Sequence, residues 1–126
     1  MKTIVKKYII HSDSKTLWRV LTEPKLIEKW TGSRCKMSGE QGSQFSLWNG
    51  DIWGKNIIVV KEKQLIQEWY AGKWGEPSIA KFDLEEKGED TSLTLEHSNI
   101  PDEEEEAIDR GWDLYYLEPI KLLSET

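Results

Sequence analysis

Two histidines, one cysteine and a block of four glutamates are the residues of this chain whose types lend themselves to chemistry. A nucleophilic or acid–base mechanism needs a nucleophile, a base and an orienting group that converge in space. His11 and His97 are the two candidate bases. His11 stands where a strand gives way to a helix and reads as exposed or capping. His97 shares strand parity with Leu93 and Leu95, which points it toward an inner face. There it is either a hydrogen-bonded core or rim histidine, the simpler reading, or a catalytic one. Cys35 lies between Arg34 and Lys36, cationic neighbours of the kind that lower a thiol pKa. No base accompanies it, and a structural cysteine is the better reading. Glu85 and Glu86 face opposite ways on a strand and form no local acid–base pair. Glu103 to Glu106 suit the first turn of a helix, where negative charge meets the positive end of the dipole, and they would also attract a basic partner. The histidines lie far apart and show no helical two-histidine spacing. No catalytic residue, metal site or cofactor is therefore assigned.

The elements that must position these residues follow from periodicity and turn chemistry. Thr3 to Ile10 is rich in Ile, Val and Tyr and reads as a strand. Ser12 offers an N-cap for a short helix whose Leu17, Trp18 and Leu21 share one face. Pro24 opens a second short helix with Leu26, Ile27 and Trp30 as its apolar face. From Arg34 the pattern becomes a run of about six antiparallel strands, with Asn49-Gly50 as a hairpin turn. Gly54 marks a bulge or a close backbone approach. Strands at Leu65 to Ala71 and Ser78 to Glu86 follow, the latter placing Ala80, Phe82 and Leu84 on one face. A turn at Lys87 to Asp90 leads into the last strand, which carries Leu93, Leu95 and His97.

The end of the chain, Asn99 to Glu125, reads as one long helix. Asp102 is the expected N-cap, with Glu105 completing a capping-box variant. Ile108, Gly111, Trp112, Tyr115, Pro119 and Leu122 form the expected apolar stripe. Gly111, which costs about 1 kcal/mol relative to alanine in a helix interior, suggests a close approach of another surface. A hairpin-connected sheet with one apolar face and a long helix to cover it make an α+β architecture.

Bulk composition narrows the function classes. At 126 residues the chain is expected to form one domain, spanning 1–126. Lys plus Arg number 17 against 23 Asp plus Glu, a formal charge of −6, which argues against nonspecific nucleic-acid binding. One cysteine allows no intrachain disulfide. The start, MKTIVKKYIIH, is charged and does not read as a signal peptide. No run approaches the roughly 20 apolar residues of a membrane span, so neither nucleic acid nor membrane is an expected partner and a cytoplasmic location is expected. The seven tryptophans either fill the core of a small domain or line a cavity, since ligand pockets are mostly apolar and aromatic.

The segments Leu17-Trp18, Leu21-Thr22-Glu23-Pro24 and Trp30 resemble the opening of START-like, helix-grip (SRPBCC) domains. Asn99-Ile100-Pro101, Gly111-Trp112, Tyr115-Tyr116 and Ile120-Lys121 narrow the likeness to the C-terminal domain of the activator of heat-shock protein 90 ATPase and its stand-alone bacterial relatives. The likeness runs from about Lys6 to Leu123. It implies a curved antiparallel sheet gripping the C-terminal helix around a central cavity, with two short helices after the first strand. In two-domain activators an N-terminal domain with an Asn- and Trp-rich motif also contacts the chaperone, and no such motif stands at Met1 to His11.

The resemblance implies a non-enzymatic, co-chaperone-like or stress-related regulatory module whose partner is a heat-shock protein 90 class chaperone. Two other readings stand beside it. One is a carrier or sensor of a hydrophobic small molecule held between sheet and helix, with Gly111 or Pro119 letting the helix move. The other is a cyclase- or hydrolase-like enzyme, which would require polar groups such as His97 and Tyr116 to converge. The residues expected to line the cavity are Trp30, Phe45, Leu47, Trp69, Phe82, Leu95, Trp112 and Tyr116. His97 or the Tyr116 hydroxyl would orient a polar head.

Overall fold

In a computed structural model, residues 1–126 are described throughout. The strand β1 (Lys2–Ile10) leads into helices α1 (Ser14–Thr22) and α2 (Pro24–Thr31). Five strands follow: β2 (Gln44–Leu47), β3 (Ile52–Val60), β4 (Gln64–Ala71), β5 (Ser78–Lys87) and β6 (Asp90–Ile100). The chain closes with a 3-10 turn (Asp102–Glu104), α3 (Glu105–Gly111), a π-helical segment (Trp112–Leu117) and α4 (Glu118–Ser124). The six strands form one antiparallel, curved sheet in the order β1-β6-β5-β4-β3-β2.

Five strands, rather than about six, follow the helices. The stretch after Arg34 contributes a single bridge, Lys36 to Ser46, instead of a strand. The Asn49-Gly50 reversal is also longer than a two-residue turn. Leu47 pairs with Ile52, and Trp48, Asn49 and Gly50 all take positive φ, at 50°, 56° and 93°. The Asn-Gly pair supplies the left-handed backbone, while Trp48 joins it at a cost of the kind seen where the surroundings over-determine a residue.

Alternation places one apolar row on the inner face of each strand. Leu65 and Phe82 pair across β4 and β5, Phe82 and Leu95 across β5 and β6, and Leu84 with Leu93. All five are buried, and they join Leu17, Leu21 and Ile27 of the two short helices in one core. Removing such side chains from water contributes about 1.5–3 kcal/mol each.

Gly54 has a definite role in this row. It sits between Phe45 and Trp69 in register, and a Cβ there would lie 1.8 Å from the Glu68 carbonyl oxygen. Close backbone approach is the correct alternative. The register shift of β3 falls between Asn56 and Ile58.

Helix capping departs from expectation at both ends. Asp13, not Ser12, caps α1, its carboxylate accepting from the Thr16 N–H at 2.8 Å. Asp102 does not cap the last helix, because it lies inside the 3-10 turn and pairs with the N-terminal amine at 2.7 Å. The α-helix proper starts after Glu104, which makes no side-chain cap.

The stripe on the C-terminal helix also shifts. Trp112, Tyr116, Leu117 and Ile120 are buried, whereas Tyr115 and Leu122 are exposed at 66% and 71%. On a uniform 3.6-residue period Trp112, Tyr116 and Leu117 would spread over about 140° of the helix face. The wider π turn, in which the Glu118 N–H reaches the Asp113 carbonyl, narrows that arc. Pro119, lacking an N–H, ends that segment as α4 begins. No helix is long and apolar enough to cross a membrane.

Candidate functional site: an aromatic cleft under the C-terminal helix

A largely apolar cleft of about 430 Å³ opens between the β2–β3 hairpin and the C-terminal helix. Trp48, Asp51 and Ile52 line it from the hairpin side, and Trp69 from β4. Ala107, Ile108 and Gly111 line it from α3, and Trp112, Tyr115 and Tyr116 from the π segment. Its size lies within the usual range of small-molecule sites, about 300–1,000 Å³.

The hairpin's positive-φ reversal turns the chain beside this opening, and the π turn brings Tyr115 and Tyr116 to it together. Gly111 does not admit another surface. A Cβ there would meet only the Tyr115 ring, at 4.0 Å, so the missing side chain leaves room in the cleft.

The rings are in mutual contact. Trp112 and Tyr116 have centroids 4.5 Å apart, Trp69 and Trp112 5.5 Å, and Trp48 and Tyr116 5.9 Å. Trp30 closes on Tyr116 at 4.8 Å from behind, and its Nε1–H donates to the Val20 carbonyl at 3.0 Å. Burial pushes the Tyr116 phenol up, with a smaller contribution from Cys35, so Tyr116 stays neutral at physiological pH.

Behind the cleft His97 is completely buried and bridges two elements. The Trp112 indole N–H can only donate, and it donates to His97 Nδ1 at 2.9 Å. That fixes the proton on Nε2, which donates to Ser78 Oγ at 2.7 Å. Ser78 in turn donates to the Trp69 carbonyl at 2.6 Å. Burial pushes the His97 pKa down to about 3. With both ring nitrogens engaged, His97 is a neutral strut between β6, β5 and the helix. The Trp69 indole N–H, by contrast, is buried without an acceptor.

A second polar group holds the helix to β1. The Lys6 ammonium reaches Asp113 at 2.7 Å and Asp109 at 3.0 Å, and the Tyr8 hydroxyl donates to Asp113 at 2.7 Å. Burial alone would raise the Asp113 pKa, but hydrogen bonds from Lys6 and Tyr8 and the Lys6 charge outweigh it and the pKa falls. Lys6 shows the complement: burial lowers its pKa and the two aspartates more than restore it.

Of the nine residues expected at a cavity, the cleft brings together Trp69, Trp112 and Tyr116. Phe45, Leu47, Phe82, Leu95 and His97 lie in the closed interior, and Trp30 packs on Tyr116 outside the cleft lining. Parity identified an inner face, but cannot say which part of that face the helix covers. Trp48, Asp51 and Ile52 were missed because their placement depends on the positive-φ reversal. Asn56 and Gln67 were missed as a buried polar pair, with Gln67 Nε2 donating to Asn56 Oδ1 at 2.9 Å.

Cys35 departs from the electrostatic expectation. Burial first, and Glu28 second, push its thiol up, while its Sγ points to the Pro24 carbonyl at 3.5 Å. His11 is exposed and faces Asp90, with Nδ1 at 3.2 Å from its carboxylate.

With this geometry in hand, the relatives are informative. Residues 12–125 match the model of the family described as Activator of Hsp90 ATPase homolog 1-like protein. The human "Activator of 90 kDa heat shock protein ATPase homolog 1" is 30% identical over 120 residues, covering 94% of this chain and 36% of the human protein. The chain thus spans about a third of the length of the curated relatives it matches. Among solved structures, an HSP90 activator from Plasmodium falciparum superposes with a TM-score of 0.91 at 22% identity, covering 98% of this chain and 96% of that one. The Aha1 dimer from Colwellia psychrerythraea gives 0.86 at 20% identity, covering 99% and 97%. These two likenesses show a shared helix-grip fold. The match over residues 12–125, on the fold just described, means that the chain belongs to the family of Activator of Hsp90 ATPase homolog 1-like proteins.

Proposed function

We propose that this chain is a co-chaperone-like, non-enzymatic module that docks on a heat-shock protein 90 class chaperone in the cytoplasm and favours its ATP-competent closed state. Family membership supports the class of partner, since the relatives carry the names of activators of that ATPase. The feature of this chain that carries the reading is the outer face of its C-terminal helix. From Asp102 to Glu118 there are eight acidic residues and one basic residue, Arg110; Asp102 meets the N-terminal amine and Asp109 and Asp113 meet Lys6, which leaves Glu103 to Glu106 and Glu118 as five carboxylates outside any ion pair. Leu114 and Tyr115 stand exposed on the same segment. An acidic face with apolar residues exposed on it complements a basic partner surface with an apolar centre, and its field would speed encounter. Docking activates only if it holds the closed chaperone more tightly than the open one.

The test is ATP turnover by the chaperone of the same host, with this chain added to saturation. A saturable rise in turnover that weakens when Glu103, Glu104 and Glu106 are changed to lysine is the expected result. No rise, with no binding, overturns the proposal.

A second reading, carriage or sensing of a hydrophobic small molecule, is favoured by one specific observation. The cleft is open, aromatic and of ligand size, and Trp69, which lines it, has an N–H without an acceptor. Leaving such a donor buried and unpaired costs about 1–3 kcal/mol. Native mass spectrometry of protein purified gently from its host would show a discrete adduct lost on denaturation. A clean mass in protein never exposed to detergent or organic solvent would count against this reading.

A further inference from the structure

We propose that the cleft selects an organic cation: an alkyl- or arylammonium compound, with its ammonium held between the faces of the rings and Asp51. The inference rests on the reading of the cleft as a small-molecule site and deepens it.

Three observations carry it. Five aromatic residues line the opening, Trp48, Trp69, Trp112, Tyr115 and Tyr116. Trp is the strongest partner for a cation among aromatic side chains, and such attraction grows when the site is shielded from water. The lining contains one charged group, and it is negative. Asp51 is exposed at the mouth, and its carboxylate takes part in none of the ion pairs of the molecule. No lysine, arginine or histidine lines the cleft, so a carboxylate or phosphate entering it would find no counter-charge.

The wider field has the same sign. The turn and first residues of the helix that forms one wall carry Glu103 to Glu106, so a cation approaches down a favourable potential and an anion against one. A fatty acid or an acyl phosphate would be disfavoured in the cleft by the same groups. The selection is therefore for charge as well as for apolar bulk, which distinguishes this cleft from a pocket that merely excludes water.

The experiment compares three small molecules of similar shape: phenyltrimethylammonium, its uncharged isostere tert-butylbenzene, and tert-butylbenzoate. Each is titrated into the 15N-labelled protein while the seven indole N–H signals are followed by NMR. The expected result is movement of the Trp48, Trp69 and Trp112 signals, with the ammonium binding about tenfold tighter than the hydrocarbon and the carboxylate weakest. Asp51→Asn, a change at an exposed position, should reduce the ammonium affinity about threefold to fivefold and leave the hydrocarbon unaffected. Added salt should weaken binding of the ammonium and leave the hydrocarbon unaffected, with the opposite sign for the carboxylate.

Equal or tighter binding of the hydrocarbon, or preference for the carboxylate, overturns the charge selection while leaving the cleft a ligand site. No movement of these indoles with any of the three overturns both this inference and the carrier reading.

Discussion

The two sides of the C-terminal helix use the same residue types to different ends. Toward β5 and β6, Trp112 meets Phe82 and His97 in a closed interior where the aromatic rings and the imidazole are packed and the histidine is fully hydrogen-bonded. Toward the hairpin, Trp48, Tyr115 and Ile52 surround open space. Trp112 belongs to both regions. The difference comes from backbone rather than composition, because the positive-φ hairpin and the π turn set the wall positions on the open side. An aromatic count alone therefore predicts neither a core nor a pocket, whereas local backbone geometry separates them.

The comparison breaks most visibly if the closed side proves tolerant. Phe82→Ala should lower stability by about 3–5 kcal/mol, read as a denaturant midpoint shift with unchanged slope. A loss below about 1 kcal/mol would mean that this interior is not packed as described. Next in size come two glycines that should respond with opposite signs. Gly54→Ala should destabilise by about 1–3 kcal/mol or more, since its Cβ would run into the Glu68 backbone. Gly111→Ala should stabilise by up to about 1 kcal/mol, because Gly111 has helical φ and ψ and open space for a methyl group. Thermal unfolding of the pair checks both at once.

His97 sharpens the same contrast through pH. Its pKa is depressed from 6.5 to about 3 in the folded protein, so between those values the unfolded chain binds the extra proton. Stability should therefore be fully present above pH 6.5 and fall as pH drops, by about 1.4 kcal/mol per pH unit at most. The window from pH 6.5 to 5 is where the His97 contribution is read. Replacing His97 by glutamine should flatten the slope in that window, even if the variant is less stable overall. At the small end, Tyr115→Ala, on the exposed rim, should change stability by less than about 0.5 kcal/mol.

Much of the fold was legible because alternation and turn chemistry are local. β5 and β6 announced themselves through Ala80, Phe82, Leu84, Leu93, Leu95 and His97, all buried as their parity requires. Pro24 marked the second helix, and Gly54 marked the close approach. The C-terminal stripe was misread at Tyr115 and Leu122, since a 3.6-residue period cannot anticipate the π turn that seats Tyr116 and Leu117 inward. Asp102 looked like a cap by type, but its carboxylate meets the N-terminal amine, a partner set by tertiary structure. The cleft was harder still. Trp112 and Tyr116 were found because they stand one turn apart on the helix, and Trp69 on a strand of less certain parity, whereas Trp48 and Asp51 depend on a reversal whose shape emerges only when β2 and β3 pair.

The most direct test of the account is amide hydrogen exchange across the chain, with and without the host's heat-shock protein 90 class chaperone. Added protection concentrated between Asp102 and Glu118, with β5 and β6 unchanged, is the predicted result. Protection confined to the opposite, convex face of the sheet, or none at saturating chaperone, would contradict it.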